Sequence, residues 1–356
     1  MRRALLGLAI APAISITFGA SPAFAAGTFL NPVIAEDWPD PTVWKGEDGF
    51  YYSVATRLRT VRRSANLVDW EDLRKDPLTS AARFALTNLT SRVWAPSVAR
   101  LGGRWVMHVS LFVNSEDNRI QALVADTPGG PFSFHGNVID SRREGIFNTI
   151  DPYAFEHDGR VWLFFGSCQD GIHCVELTAD GLSIKPGAPI VHVAGHRASK
   201  TNRQDLWGKP GAYEGSYVLN RRGWCYLFVS SGKYDDGTYC LSVGRAKTVD
   251  GIFFDRKGHS LTQGLAEPIL KGLPGARFFG PGHNGNVFSS VDGRDWMFFH
   301  AHDHNRARAA DRPTLLQELR WTADGWPYFD GGVPRELEEC PVLGNCGDKL
   351  SQRPVK

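Results

Sequence analysis

The sequence predicts an all-β protein with the architecture of a five-bladed β-propeller. Three observations support this prediction. A strand–turn–strand pattern that returns in an aromatic run occurs five times, each turn contains a glycine, and the copies recur at intervals of roughly 54 to 69 residues. Strand-forming repeats at such spacing are typical of propeller blades of about four strands each. The 38 Gly and 21 Pro residues suit a chain with many short strands and tight turns.

Each copy opens with a marker residue that lies eight to ten residues before its turn glycine. In order along the chain, the five markers are Asp40, Trp94, Asp151, Glu214 and His283. If each marker begins the innermost strand of its blade, the pseudo-symmetry of the ring brings all five side chains to one mouth of the central channel. We therefore expect three carboxylic acids, distant in sequence, to face a single pocket.

The stretches between the markers supply the outer strands of each blade. In blade three, for example, apolar and polar residues alternate along GIHCVELTADGLSI, which favours half-buried strands over helix. The polar stretch HRASKTNRQDLWGKP (196–210) has no such pattern. We predict that it forms a loop over the mouth that carries the markers.

The N-terminal 25 residues are predicted to be a secretory signal peptide. Two arginines precede an apolar stretch that is followed by small residues around Ala25. A core helix is the alternative, but Pro12 disfavours it. Residues 26–335 are then the propeller and 336–356 a C-terminal tail. No later apolar run is long enough to span a bilayer, so we expect a secreted protein, extracellular or periplasmic, that does not bind a membrane.

Charge and cysteine content narrow the function further. Without the two arginines of the signal peptide, 38 basic residues face 38 acidic ones, which argues against nucleic acid and favours a neutral ligand. We expect a monomer.

Six cysteines in an exported chain indicate disulfides. Three local pairs are predicted: Cys168–Cys174, Cys225–Cys240 and Cys340–Cys346.

The carboxylic acids among the markers suggest glycosidic bond hydrolysis. One acid protonates the departing oxygen while another activates water or attacks directly. Asp40 and Glu214 are our candidates, and Asp151 nearby would raise the proton affinity of Glu214 by like-charge repulsion. The alternative is that Asp40 merely starts a turn, because Asp-Pro is common in turns and Asp76-Pro77 occurs here without a blade pattern.

Two other markers have more than one interpretation. Trp94 could stack on a sugar face or pack between blades. His283 could bind a metal, tune the acids, or be a hydrogen-bonded core histidine. The run His300-Ala301-His302-Asp303-His304 has a metal-like composition but stays unassigned, because its side chains share a face only if the strand continues through it.

Several short motifs together resemble glycoside hydrolase family 43, a family of five-bladed propeller glycosidases. They are PDP at 39–41, WAP at 94–96, IDP at 150–152 and EG at 214–215. Within that family, NTID at 148–151, GPGHN at 280–284 and DWMFFHAHD at 295–303 are similar to the arabinan-cleaving members. One segment departs from them, because Ser167 is followed by Cys-Gln-Asp where Phe-Trp is usual.

The resemblance implies an inverting hydrolase of α-1,5-linked L-arabinan, an arabinanase. Asp40 would be the general base, Glu214 the general acid, and Asp151 the residue that tunes and orients the acid. It also implies a calcium ion on His283 and sugar contacts from Trp94, Asn148 and Ser167. Three alternatives stay open: an exo-acting α-L-arabinofuranosidase, a β-xylosidase of the same family, and a sugar-binding propeller without catalysis.

Overall fold

The protein is represented by a computed structural model that describes residues 27–90, 92–114, 116–197, 206–306, 308 and 310–343. The predicted signal peptide, residues 1–25, lies outside the described residues. Five antiparallel sheets succeed one another along the described chain and form the blades of a propeller. The predicted fold class is therefore confirmed.

Within the described residues, blades one to four are meanders in which consecutive strands pair. A first short strand, β1, precedes the blades at Thr28–Leu30. Blade one contains β2 (Thr42–Lys45), β3 (Tyr51–Val54), β4 (Arg62–Ser64) and β5 (Glu71–Asp72). Blade two contains β6 (Val93–Leu101), β7 (Arg104–Asn114), β8 (Asp117–Ala125) and β9 (Ser133–Asp140). Blade three contains β10 (Tyr153–His157), β11 (Arg160–Phe165), β12 (Ile172–Leu177) and β13 (Val191–Ala194).

Blade four continues the same arrangement, and blade five has an interrupted inner strand. Blade four contains β14 (Glu214–Arg221), β15 (Trp224–Ser231), β16 (Cys240–Ala246) and β17 (Pro268–Lys271). Blade five contains β18 (Phe278–Gly282), β19 (Val287–Ser289), β20 (Asp295–Asp303), β21 (Thr314–Trp321) and β22 (Pro327–Tyr328). Both β18 and β19 pair with β20. The last strand, β23 (Leu337–Glu339), pairs with β1 and lies in the segment that we assigned to the tail.

Strand β11 shows why the sequence of these blades contains dense apolar runs. Its alternate residues point to opposite faces of the sheet. Trp162 and Phe164 pack into the cluster shared with blade four, whereas Leu163 and Phe165 pack into the cluster shared with blade two. Both faces are buried between neighbouring blades, and each fully buried large apolar side chain contributes roughly 1.5–3 kcal/mol.

The ring is closed between blade five and the N-terminal segment. The buried side chain of Asn31 accepts from the backbone nitrogen of Leu316 and donates to its carbonyl oxygen, both at 2.9 Å, so it acts as a strand partner for β21. Ile34 and Thr314 exchange backbone hydrogen bonds three residues further along. These contacts connect residues almost 300 positions apart in the chain.

Two α-helices lie outside the described strands. Helix α1 (Ser80–Thr87) is capped by the side chain of Thr79 and buries Ala82 and Leu86 in the core between blades one and two. Helix α2 (Ser141–Glu144) follows β9. No helix in the described part of the chain is long and apolar enough to cross a membrane.

Two of the predicted disulfides are wrong, because their cysteines are free thiols. Cys225 and Cys240 lie on paired strands, but Cys240 is opposite Ser231, and six residues of strand, about 20 Å, separate Ser231 from Cys225. Cys174 lies inside β12, whereas Cys168 leaves the sheet and its backbone nitrogen bonds to the carbonyl of Tyr213. The third predicted pair includes Cys346, which lies outside the described residues.

Candidate active site

At one mouth of the ring, a residue in or beside each inner strand has a left-handed backbone conformation. Non-glycine residues rarely adopt this conformation and need surrounding structure to hold them in it. The five residues and their φ angles are Asp40 (54°), Ala95 (42°), Asp151 (56°), Gly215 (60°) and His283 (44°). This repeated left-handed conformation occurs at three of the predicted markers. In blades two and four it occurs one residue after the markers Trp94 and Glu214.

Neighbouring blades hold these five residues in place. In four of the five cases, the backbone N–H donates to a side chain on the preceding blade. That side chain lies near the end of the preceding blade's second strand, the one that pairs with the inner strand of the same blade. The four contacts are Ala95 to Thr56 Oγ1 (2.8 Å), Asp151 to Ser110 Oγ (2.9 Å), His283 to Ser230 Oγ (2.7 Å) and Asp40 to His300 Nδ1 (3.1 Å). In the fifth case, Gly215 donates instead to the carboxylate of Asp151 (3.2 Å).

The structure brings Asp40, Asp151 and Glu214 together at this mouth, as the sequence predicts. His283 lies between the two aspartates, with its Nδ1 3.4 Å from Asp40 Oδ1 and 4.0 Å from Asp151 Oδ2. The bond from Gly215 to Asp151 places Glu214, the preceding residue, beside the same carboxylate. Asp40 and Asp151 are both buried, whereas Glu214 is half-buried.

The carboxylate of Asp40 is surrounded by positive charge and hydrogen-bond donors. Arg312 Nη1 lies 3.0 Å from its Oδ1, and the Thr56 hydroxyl donates to its Oδ2 at 2.6 Å. Burial alone would raise the pKa of Asp40, but Arg312, His283 and His300 outweigh burial and hold it well below its usual range. Asp40 is therefore ionised at neutral pH and can accept a proton.

Glu214 is held by two hydroxyl groups, one on each carboxylate oxygen. Ser167 Oγ donates to Oε2 at 2.8 Å, and the Tyr239 hydroxyl donates to Oε1 at 2.7 Å. The buried ring of Tyr239 stacks on His300 with an interplanar angle of 1°. Since His300 also contacts Asp40, one pair of stacked rings links the supports of the two carboxylates.

Asp151 differs from Asp40 in its electrostatic environment. Burial raises its pKa, and the negative charges of Glu214 and Asp40 add to the effect against the opposing charge of His283, so that the pKa reaches about 7. Two buried carboxyl groups at one mouth thus have pKa values displaced in opposite directions. Such separation is typical of sites that hold one acid ionised and another protonated.

The residues predicted to contact substrate lie at or near the same mouth. Trp94 is half-buried and stacks on Phe112, with ring centroids 4.7 Å apart. Asn148 is buried and its amide nitrogen donates to the side chain of Gln169, while its Oδ1 has no hydrogen-bond partner. Ser167 is occupied by Glu214. These roles stay predictions.

Calcium at His283 also stays a prediction. Calcium takes six to eight oxygen ligands. In the ranges that the structure describes, no three His, Cys, Asp or Glu side chains are grouped closely enough to hold an ion. The Nδ1 atom of His283 faces two carboxylates, so an ion would have to use its other ring nitrogen together with water. The described residues alone do not make a calcium site.

Four residues at the site were not assigned by sequence: Thr56, Tyr239, His300 and Arg312. His300 lies in the histidine-rich run whose faces the sequence left unresolved. The structure buries His300 against Asp40 and sends His302 to stack on Phe279. Arg312 follows β20 in a segment without a motif, so no sequence signal identified it.

A propeller that gathers carboxylic acids at one mouth, one of them kept ionised and another held by hydroxyl donors, has the architecture of a glycoside hydrolase. Comparison with known proteins agrees, since residues 29–327 match the sequence profile of the family described as glycosyl hydrolases family 43. The chain belongs to this family and is a glycoside hydrolase.

Similar proteins include enzymes with both exo and endo names. An extracellular exo-α-(1→5)-L-arabinofuranosidase of Cellvibrio japonicus is 27% identical over 314 residues, which cover 83% of this chain and 86% of the relative. An extracellular endo-α-(1→5)-L-arabinanase of Bacillus subtilis is 27% identical over 333 residues, covering 87% and 96%. The solved structure of a Cellvibrio cellulosa α-L-arabinanase complexed with arabinohexaose superposes with a TM-score of 0.72 at 26% identity, covering 83% of this chain and 96% of that one.

Proposed function

We propose that this protein hydrolyses α-1,5-linked L-arabinan with inversion of configuration. One observation carries the proposal: Asp40, paired with Arg312, and Glu214, held by Ser167 and Tyr239, meet at one mouth of the propeller. The similarity to proteins named as arabinanases and to an arabinohexaose complex supports arabinan as the substrate.

In the proposed reaction, Asp40 is the general base and Glu214 the general acid. A water molecule attacks the anomeric carbon and gives its proton to Asp40, while the bond to the leaving oxygen breaks and that oxygen takes the proton of Glu214. Asp151 bonds to Gly215 and so orients the segment that carries the acid. Proton NMR of the fresh product tests the stereochemistry, because an inverting enzyme forms the β-anomer first from an α-linked chain.

Product profiles on linear arabinan, branched arabinan and xylan oligosaccharides test the substrate and the mode of attack. A ladder of arabinooligosaccharides would indicate endo action, and a single small product would indicate exo action. Both modes occur among the names of similar proteins. Cleavage of xylan oligosaccharides alone would contradict the arabinan proposal and favour the β-xylosidase alternative.

The remaining parts of the proposal concern the state of the protein. We propose export, since both of these relatives are named extracellular, and cleavage near Ala25 would appear in the mass of the secreted protein. We propose a monomer, which light scattering in solution would test. Calcium at His283 would be tested by metal analysis of the purified protein and by chelation, with the His283→Ala variant as the control.

A further inference from the structure

Two aromatic rings outside the blade cores lie near the catalytic mouth. Tyr234 belongs to the connection between β15 and β16, and Trp207 precedes blade four; their ring centroids are 5.8 Å apart with a tilt of 49°. The Tyr234 side chain is 38% exposed. Neither ring belongs to the hydrophobic clusters that join the blades in the described part of the chain, so core packing does not account for the pair.

Tyr234 is connected to the general base proposed above through the side chain of Arg312. The Arg312 guanidinium lies 4.5 Å from the centre of the Tyr234 ring, and the same guanidinium lies 3.0 Å from the Asp40 carboxylate. Burial raises the pKa of Tyr234, with Arg312 opposing it and the charges of Glu214 and Asp40 adding to it. One side chain therefore separates this ring from Asp40, and both catalytic carboxylates act on it electrostatically.

The chemistry of the pair suits a neutral sugar. The C–H faces of a sugar stack on aromatic rings, and Tyr and Trp also have a polar atom for a hydroxyl group. Both rings are held by cations, since Lys233 Nζ lies 5.0 Å from the Trp207 ring and Arg312 holds Tyr234. A ring that is already fixed loses little conformational freedom when a ligand binds.

We propose that Tyr234 and Trp207 form an aromatic subsite that binds a furanose unit of the arabinan chain next to the unit being cleaved. This inference rests on the proposed function. It adds a second aromatic wall to the mouth, separate from Trp94 and Phe112, and this wall contacts chains that are longer than the minimal substrate.

The subsite predicts an effect that depends on chain length. Tyr234→Ala and Trp207→Ala should each lower kcat/KM on arabinohexaose by about two- to tenfold, with little change on 4-nitrophenyl α-L-arabinofuranoside, which contains one sugar. Tyr234→Phe keeps the stacking ring and loses only the hydroxyl group, so its loss on arabinohexaose should be smaller than that of Tyr234→Ala. Tyr328→Ala is the matched control, because Tyr328 is 37% exposed on the outer strand β22. Trp207→Ala leaves Arg312 in place and so separates stacking from damage to Asp40.

Equal losses on the short and long substrates, or no loss on either, would overturn the subsite. Calorimetric binding of arabinohexaose to Glu214→Gln and to the Glu214→Gln/Trp207→Ala double variant gives a readout without turnover. The proposal predicts a weaker Kd for the double variant, and equal Kd values would overturn it. If the wild-type protein does not hydrolyse arabinan, the proposed function fails, and the binding comparison still decides the subsite.

Discussion

Tyr239→Phe removes one hydrogen bond from the proposed general acid and leaves the ring in place. The Tyr239 hydroxyl donates to Glu214 Oε1 at 2.7 Å, and the ring, fully enclosed, stacks on His300. A hydrogen bond to a charged group contributes about 1.5–3 kcal/mol, and Glu214 becomes charged as its proton leaves. This corresponds to about a 10- to 150-fold change in rate if the bond strengthens only in the transition state. Because phenylalanine keeps the ring, we expect the fold to be unaffected.

The assay compares two leaving groups. Departure of a sugar alkoxide from arabinan needs the proton of Glu214, whereas 4-nitrophenolate leaves without one. Tyr239→Phe should therefore lose much more kcat on arabinan than on 4-nitrophenyl α-L-arabinofuranoside. Tyr213→Phe is the control, since its hydroxyl is also buried but accepts from the backbone nitrogen of Ala266 at 3.0 Å. Equal losses on both substrates, or wild-type rates, would refute the positioning of the acid by Tyr239.

Three further predictions test other parts of the molecule. Arg312→Gln removes a charge that lowers the pKa of Asp40, so the acidic limb of the kcat/KM–pH profile should move to higher pH; an unchanged limb would contradict the ion pair. Burial lowers the pKa of His108 to about 4, so the unfolding free energy should fall by up to about 3 kcal/mol as the pH drops from 6.5 to 4, because only the unfolded chain takes up the proton. In urea titrations, His108→Gln should flatten this dependence, and a slope equal to wild type would exclude His108 as its source. Asn31→Ala breaks the contact that closes the ring and should cost about 2–4 kcal/mol, whereas an unchanged melting temperature would argue against that contact.

The fold could be predicted because it depends on repetition. Five copies of one hairpin pattern need no knowledge of long-range contacts, and the pseudo-symmetry that they imply brings Asp40, Asp151 and Glu214 to one mouth. The exact register could not be predicted in every blade. In blade two the left-handed residue is Ala95 and in blade four it is Gly215, and each follows the predicted marker by one position.

Several supports of the acids could not be predicted because they come from a neighbouring blade. His300 of blade five accepts a hydrogen bond from the backbone nitrogen of Asp40, which leads into blade one, and Ser167 of blade three donates to Glu214 of blade four. Arg312 reaches Asp40 from a connection 272 residues away. Such pairs depend on how blades pack, and no local pattern encodes them.

Two of the disulfide predictions failed for a related reason. Cys225 and Cys240 flank a turn, and this spacing suggested a bridge. Spacing alone does not show where the ladder ends: β15 continues for six residues beyond Cys225 before the turn begins, so the two thiols lie at opposite ends of the paired strands.

The central claim is that Asp40 and Glu214 act as one catalytic pair at the mouth of the propeller. The most direct test is the turnover of linear arabinan by Asp40→Asn and Glu214→Gln, both nearly isosteric, with arabinohexaose binding measured on the same samples. General acid–base catalysis contributes about 10²- to 10⁴-fold, so we expect losses of this size with binding retained. Wild-type turnover in either variant would contradict the account.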